Sequence, residues 1–486
     1  MFNENNTTQR QITDILRREL GWQEVKAIDL NRSIRDVFLL DELTAALQRL
    51  NPEIAAQPAR ADEVIHRLRA ILLTVQSDGL IRANQRMSEW LLNDITMPFG
   101  KNNRHVPIRL IDYDNLDNNS YIVSEEVTFK PAAVEKRFDH VLFVNGIPLV
   151  VGEAKTPVRS AWSWFDAAVQ IQGYEEAVPQ FFVPNIFSFA SEGKVYRYGS
   201  VQAPLQHWGP WHNSDQTEPE HEGLQAVADT VRAMLDRRVV LDMLRHFTTY
   251  ATNKQGRMIK IIARYQQYYA ALKIVRRVVL GRPRKGLIWH FQGSGKSLLM
   301  LFAAQLLRTI PELKKPTVLI IVDRVDLDTQ ISGTFLANDV ANVVTTDKRD
   351  ELQDLLRKGV RKIIITTIHK FAEATEALNT DSNIIIMVDE AHRTQEGDLG
   401  RFMREALPNA FLFGLTGTPI NKRDRNTFYA FGAEEDENGY LDRYSFEDSI
   451  RDKATLPLKF EARLVELHVN QDAIDEAYEQ MTGHLS

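Results

Sequence analysis

The sequence predicts an α/β protein whose second half carries a parallel sheet buried on both faces. Two observations predict it. Apolar, β-branched runs recur at 318–322, 363–365, 384–388 and 411–415, with helical stretches between most of them. Continuous runs of this kind belong to strands covered on both sides. The second observation is Gly293-Ser294-Gly295-Lys296-Ser297, set between an apolar run at 286–291 and a helix-like run at 298–304. That order reads as strand, tight loop, helix.

Composition bounds the answer. With 486 residues, roughly two to four domains are expected. A hydrophobic fraction of 44% and a charged fraction of 26% describe an ordinary soluble protein. The net charge of −6 does not advertise nucleic-acid binding, although net charge hides local patches. With no cysteine, disulfides and thiolate metal sites are excluded and a reducing cytoplasm is permitted. The polar start shows no secretory signal, and no apolar run approaches the ~18 residues of a membrane span.

In chain order, helical spacing predicts helices over 7–20, 33–49 and 61–78, with Pro52 and Pro58 between the last two. These helices are read as packing elements. Glu63, Arg82 and Asn84 are polar candidates that no pattern raises. Strands are expected near Val106 and over 120–129.

The run from Arg137 to Lys155 has two apolar stretches flanking Asn145-Gly146, a strong hairpin signal. A two-residue loop would pair Val144 with Ile147 and turn Glu153 away from Asp139. A three-residue loop would pair Val144 with Pro148 and set Asp139 opposite Glu153, with Lys155 on the same face. The second register is expected. Two carboxylates on neighbouring strands repel unless a cation sits between them, and a hard ion such as Mg2+ suits carboxylate oxygens. Lys155 would then orient a water or stabilise developing charge. A surface ion pair between Lys155 and either acid is the competing reading. The helix that follows carries Gln170 and Tyr174 on one face, four residues apart.

Another hairpin is expected over 183–201, turning at Glu192-Gly193. Residues 202–223 read as a surface loop, 224–248 as helical, and 252–256 as a hinge. From Arg257 to Ser297 there are ten basic residues and no acid, with Tyr265, Tyr268 and Tyr269 interleaved. Such a patch suits phosphate backbones, and a solvated helix face is the alternative.

At the glycine-rich loop, backbone N–H groups and a helix N-terminus would gather a phosphate. Lys296 would reach the β- and γ-phosphates of ATP, and the Ser297 hydroxyl would ligate Mg2+. His290 stands where the full phosphate-loop pattern has glycine. Asp389-Glu390-Ala391-His392 ends a buried strand, where Asp389 can serve Mg2+ and Glu390 can polarise the attacking water. His392 would link nucleotide state to the next segment.

Three resemblances follow. Asp139, Glu153-Ala154-Lys155 and the Gln170/Tyr174 helix resemble the D…E-x-K nucleases, in the variant of RecB-like enzymes. This implies a mixed sheet flanked by helices, Mg2+ at Asp139 and Glu153, and Gln170 and Tyr174 beside the metal site. The usual proline before the first acid is Phe138 here. Gln292 to Ser297, Asp389 to His392, Thr416-Gly417-Thr418-Pro419, Asp323-Arg324, and Thr366-Thr367 with Lys370 resemble superfamily 2 motors built on RecA-like domains. Gln266 or Gln267 resembles the adenine-reading glutamine of those motors. Joined in this order, the halves resemble the restriction (R) subunit of type I restriction enzymes, whose loop also reads Trp-His before Gln-Gly-Ser-Gly-Lys.

The resemblance implies ATP-dependent translocation of double-stranded DNA, cleavage away from the recognition site, and methyltransferase and specificity subunits as partners, in the cytoplasm. A stand-alone helicase-nuclease of DNA repair and a non-enzymatic scaffold are the rival readings. The implied division is an endonuclease domain over 1–245, a hinge over 246–257, a first RecA-like domain over 258–455, and the start of a second over 456–486. Residues 458–470 would enter that second domain, which in the superfamily supplies an arginine to the γ-phosphate.

Overall fold

The structure is a computed structural model describing residues 7–155, 163–213, 223–253, 255–322, 343–346, 348–371, 377–391, 399–419, 421–422, 425–456 and 471–482. It contains two large sheets. The first has six strands in chain order: β1 (Gln23–Glu24), β2 (Tyr121–Phe129), β3 (Lys136–Val144), β4 (Ile147–Ala154), β5 (Phe187–Ser191) and β6 (Tyr196–Gly199). It is mixed: β1 runs parallel to β2 and β4 to β5, while the other neighbours are antiparallel. The parallel step from β4 to β5 requires a crossover. Trp164–Ala177 supplies it, opened by a capping box between Ser163 and Asp166.

Helices α1 (Thr7–Arg18), α2 (Leu40–Leu50), α3 (Arg60–Leu73) and α4 (Leu80–Leu91) precede or interrupt this sheet, and the crossover is α5. The expected helix over 33–49 begins only at Leu40. Val37, Phe38 and Leu39 are consecutive buried residues, and the Leu39 amide donates to the Gly146 carbonyl, 2.9 Å away. Consecutive burial suits extended chain, not one helix face. Asn84, which no pattern raised, lies in α4. Its amide donates to Val183 and Asn185 carbonyls at 2.7 and 2.8 Å, and its oxygen accepts from Tyr250 at 2.6 Å.

The expected three-residue hairpin loop is overturned. Val144 pairs with Ile147 across a two-residue turn in which Asn145 and Gly146 have φ of +49° and +78°. Those angles are the ones a mirror-image type I turn demands. The buried Asn145 side chain locks it, donating to the Leu110 carbonyl and Asn119 Oδ1 at 2.8 Å each. One residue further on the register slips: Phe143 faces Pro148, but Leu142 faces Val150. Leu149 is therefore an extra residue, a β-bulge. The bulge brings His140 opposite Gly152, so Asp139 lies beside Glu153 by a device other than the loop length.

A second correction concerns 202–223. Its described part is a surface loop only over 202–207, where Gln202, Pro204, Gln206 and His207 are exposed. Gly209 bridges to Tyr198, and Trp211 is fully buried between Tyr198 and Tyr268, with ring centroids 5.7 and 5.3 Å away. The helical stretch at 224–248 is two helices, α6 (Leu224–Met234) and α7 (Arg237–Arg245), the second capped by Asp236. Next come two paired strands, β7 (Thr248–Thr252) and β8 (Met258–Ile262).

Lys260 of β8 is wholly buried with Nζ 2.6 Å from the Asn185 carbonyl, and burial lowers its pKa to about 7. Burial also raises Glu175 of α5 to about 8. The signs oppose one another. Glu175 holds a proton on folding from its ordinary 4.5 up to about 8, so its contribution to stability falls as pH rises through that window. Lys260 gives up its proton early, so its contribution rises with pH between about 7 and 10.5. Against Glu175→Gln, the wild-type chain is expected to lose stability as pH rises from about 5 to about 8. Denaturant melts of both proteins across that range check this; parallel profiles would contradict it.

The second sheet begins after α8 (Tyr265–Leu280). It contains β9 (Lys285–His290), β10 (Thr317–Val322), β11 (Val343–Thr345), β12 (Ile363–Thr367), β13 (Ile384–Val388), β14 (Phe411–Thr416) and β15 (Asp442–Tyr444). Their order is β11-β12-β10-β13-β14-β9-β15, and every pair is parallel. Every residue of β10, β12, β13 and β14 is buried, as the apolar runs required. β15 was not anticipated, because Asp-Arg-Tyr carries no strand pattern. Helix α9 (Lys296–Thr309) follows β9 directly.

Candidate active sites

The bulged hairpin and α5 assemble the first site. Asp139 Oδ2 accepts from the Ala154 amide at 3.0 Å. Glu153 is 1% exposed, and its Oε1 lies 2.8 Å from Lys155 Nζ. Lys155 also donates to Gln170 Oε1, and Gln170 contacts the Tyr174 hydroxyl. That hydroxyl donates to the Arg137 carbonyl at 3.0 Å and lies 3.4 Å from Glu153 Oε2. All five sequence-predicted residues of this half thus fall in one cluster.

Helix α5 is held against the sheet by Phe138, fully buried, which stacks on Phe181 at 4.4 Å and meets Tyr174 edge-on at 5.2 Å. The proline expected before the acid would provide no such ring.

The electrostatics of this cluster are unfavourable without a counter-charge. Burial first, and the neighbouring Asp139 second, push Glu153 up to about 8; Lys155 offsets only part of that. Among the described residues no group of three or more His, Cys, Asp and Glu side chains could hold a metal. Two carboxylates do suit Mg2+, which keeps several waters and takes substrate oxygens for the rest of its shell.

The second site lies at the end of β9. Gly293 and Gly295 have φ of +86° and +84°, and Gly295 opens α9. A side chain at Gly295 would collide with Gln267, since a Cβ there would sit 2.2 Å from Nε2. Gln267 instead donates to the Ser294 and Gly295 carbonyls at 3.2 and 3.1 Å. Gln266 is also buried, and its Oε1 has no hydrogen-bond partner among the described residues. Gln292 and Gly293 are exposed, and Ser297 is half-buried at the first turn of α9.

Lys296 is buried and lies 3.8 Å from Glu390 Oε1. Glu390 has a left-handed backbone, φ +47°, two residues after the end of β13, and its amide donates to Asp389 Oδ1 at 3.0 Å. Gly417 backs onto the same loop; a Cβ there would lie 3.0 Å from the Gln292 amide nitrogen. His290 points away from the loop, with Nε2 2.6 Å from Asp442 Oδ2. Lys273 of α8 reaches the other oxygen of Asp442 at 2.9 Å.

Two family models match, between them taking in most of the chain. Residues 1–207 match the type I restriction enzyme R protein N terminus, and residues 266–486 match the SWI2/SNF2 ATPase. The HindI endonuclease subunit of a type I restriction enzyme from Haemophilus influenzae is 31% identical over 513 residues, covering 96% of this chain and 47% of that protein. The chain belongs to the type I restriction enzyme R-protein family.

A further relative is the SauMSSORF170P endonuclease subunit of a type I restriction enzyme from Staphylococcus aureus, 26% identical over 368 residues, 71% of this chain and 37% of that one. The chain thus spans less than half the length of these curated relatives. Among solved structures, the UvsW helicase from bacteriophage T4 matches with a TM-score of 0.28 at 22% identity, over 38% of this chain and 60% of that one.

For an R protein with an ATPase half, the basic stretch from Arg257 to Ser297 was the expected phosphate-binding surface. The structure gives much of it other work. Lys260 is buried, Arg264 donates to the His207 carbonyl at 2.6 Å, and Lys273 pairs with Asp442. Arg277 forks onto Asp436, Arg284 lies 3.9 Å above the Phe411 ring, and Lys285 reaches the Tyr429 carbonyl at 3.2 Å. These side chains tie α8 and β9 to their neighbours, so they form no single stripe.

His392, Asp323-Arg324 and 458–470 lie outside the described residues. Thr366 and Thr367 are buried at the end of β12, and Lys370 is half-buried just after it. Among the described residues no helix is long and apolar enough to cross a membrane.

The sequence reading missed Gln9, which is buried against the back of the first site. Its signal was present: Gln9 lies three residues before Ile12, on the apolar face that Ile12, Ile15 and Leu16 bury.

Proposed function

We propose that this R protein cuts double-stranded DNA with a Mg2+-dependent nuclease half and moves that DNA with an ATP-driven motor half. The observation that carries the reading is the cluster of Asp139, Glu153, Lys155, Gln170 and Tyr174 on one bulged hairpin and one helix. Residues 1–245 form the endonuclease domain, 246–257 the hinge and 258–455 the first RecA-like domain, with a second beginning near 456.

In the nuclease half, Asp139 and Glu153 hold Mg2+, which supplies Lewis acidity to the scissile phosphate. Lys155, kept in place by Gln170, stabilises charge developing on the phosphate oxygens. Tyr174 fixes Gln170 and the rim of the Glu153 carboxylate.

In the motor half, Gln292 to Gly295 wrap the phosphates of ATP, Lys296 neutralises the β- and γ-phosphates, and Ser297 and Asp389 hold the Mg2+ that accompanies them. Glu390 polarises the attacking water. Either Gln266 or Gln267 reads the adenine; Gln267 is already bound to the loop's carbonyls. Methyltransferase and specificity subunits complete the complex in the cytoplasm and select the DNA.

The test is reconstitution of the R protein with those two subunits on a circular DNA carrying one recognition site. ATP- and Mg2+-dependent cleavage that Asp139→Asn abolishes supports the reading. Cleavage without either partner subunit would instead favour a stand-alone helicase-nuclease. Wild-type cleavage by Asp139→Asn would refute the nuclease assignment.

A further inference from the structure

We infer that Gln9 of the first helix is a positioning residue for Asp139, replacing a sheet rung that is missing at that point. The inference rests on the proposed metal-binding role of Asp139 and adds to it a residue outside the D…E-x-K pattern.

The missing rung is visible in the register. Strand β2 pairs Glu125 with His140 and Val127 with Phe138, while the rung between Glu126 and Asp139 is absent. Glu126 has a left-handed backbone, φ +57°, which turns it out of the ladder. A backbone group that loses its ladder partner inside a protein must find another. Gln9 provides it: its Nε2 donates to the Asp139 carbonyl at 3.1 Å.

The contact is reciprocal. His140, fully buried on the opposite face of β3, donates from Nε2 to the Gln9 carbonyl at 3.0 Å. A carbonyl oxygen can only accept, so Nε2 carries the proton in this contact. One helix residue therefore grips two consecutive residues of β3, and the second grip fixes the direction of the first. On its other side, Asp139 is held through Oδ2 by the Ala154 amide.

Helix α1 cannot drift from this position cheaply, because Ile12, Ile15 and Leu16 are buried beside Gln9. The carboxylate that must meet the ion is thus aimed by a helix more than a hundred residues away in sequence. Residues that orient a ligand in this way are commonly worth 10–100-fold in metal affinity.

The experiment is Mn2+ binding, followed by electron paramagnetic resonance of the free ion, on the whole chain without nucleotide. The signal is the fraction of binding that Asp139→Asn removes. Gln9→Met keeps the length and burial of the side chain but cannot donate. It is expected to raise the Mn2+ dissociation constant about tenfold, with the thermal melt and circular dichroism of the wild type. His140→Phe keeps a ring beside Phe189 and loses the other bond, so it should act in the same direction; it decides the matter if Gln9→Met fails to fold. Unchanged Mn2+ affinity in the folded variants, with Asp139→Asn still losing the ion, would overturn the positioning role alone. Unchanged affinity in Asp139→Asn as well would overturn the metal-site reading beneath it.

Discussion

Lys155→Ala is expected to lower DNA cleavage by the reconstituted complex ~10²–10³-fold, the usual cost of deleting one donor aimed at developing charge. ATP hydrolysis should stay at the wild-type rate. The reason lies in how Lys155 is placed. Its Nζ sits 2.8 Å from a carboxylate that is 1% exposed, and it also contacts Gln170. Few surface lysines are held from two sides in this way, and alanine leaves the carboxylate pair intact while removing the ammonium.

A second consequence follows for the acids. With Lys155 gone, Glu153 loses a cation that lowers its raised pKa, so its proton should be held to still higher pH. Residual cleavage should therefore shift its rising limb to more alkaline pH. Counting cut circles against ATP consumed, across pH, checks both parts. Normal cleavage by Lys155→Ala would show that the lysine makes only a surface ion pair.

Lys296→Ala is expected to have the broader effect, stopping ATP hydrolysis and, with it, translocation and distant cleavage. Its ammonium is buried at the start of α9, under two glycines whose φ values only glycine takes readily. It lies 3.8 Å from Glu390, within reach of the group proposed to polarise water. Removing it takes away a fixed positive charge where the γ-phosphate gathers negative charge, and a loss of ~10²-fold or more in turnover is expected. Mn2+ bound at Asp139 and Glu153 should be unaffected, since the two sites share no residue. Phosphate release and single-turnover cleavage separate the outcomes. Cleavage surviving in Lys296→Ala at the wild-type rate would mean that cutting does not depend on the motor.

The local motifs were legible because each depends on near neighbours in sequence. A phosphate loop is one strand end, two glycines and one helix start; Asp389-Glu390 marks one strand end; Gln170 and Tyr174 share a helix face by spacing alone. The hairpin shows where this legibility stops. Asn145-Gly146 announced a turn correctly, but its two-residue form is held by Asn145 reaching Leu110 and Asn119, and the bulge at Leu149 carries no mark in the sequence. The basic stretch was legible only in part for the same reason. Charge is read from the chain, but its partners, Asp436 and Asp442 among them, lie more than a hundred residues away.

The chain by itself thus determined the chemistry available: two acids and a lysine on a hairpin, a glycine cradle, and a run of buried parallel strands. Only the tertiary structure decided which acid faces which, that Trp211 is core and not surface, and that Gln9 closes the gap Glu126 leaves behind Asp139. Periodicity and turn chemistry are short-range and survive in the linear sequence. Register, burial and hydrogen-bond partnership are set by contacts between distant segments, which the sequence order alone does not carry.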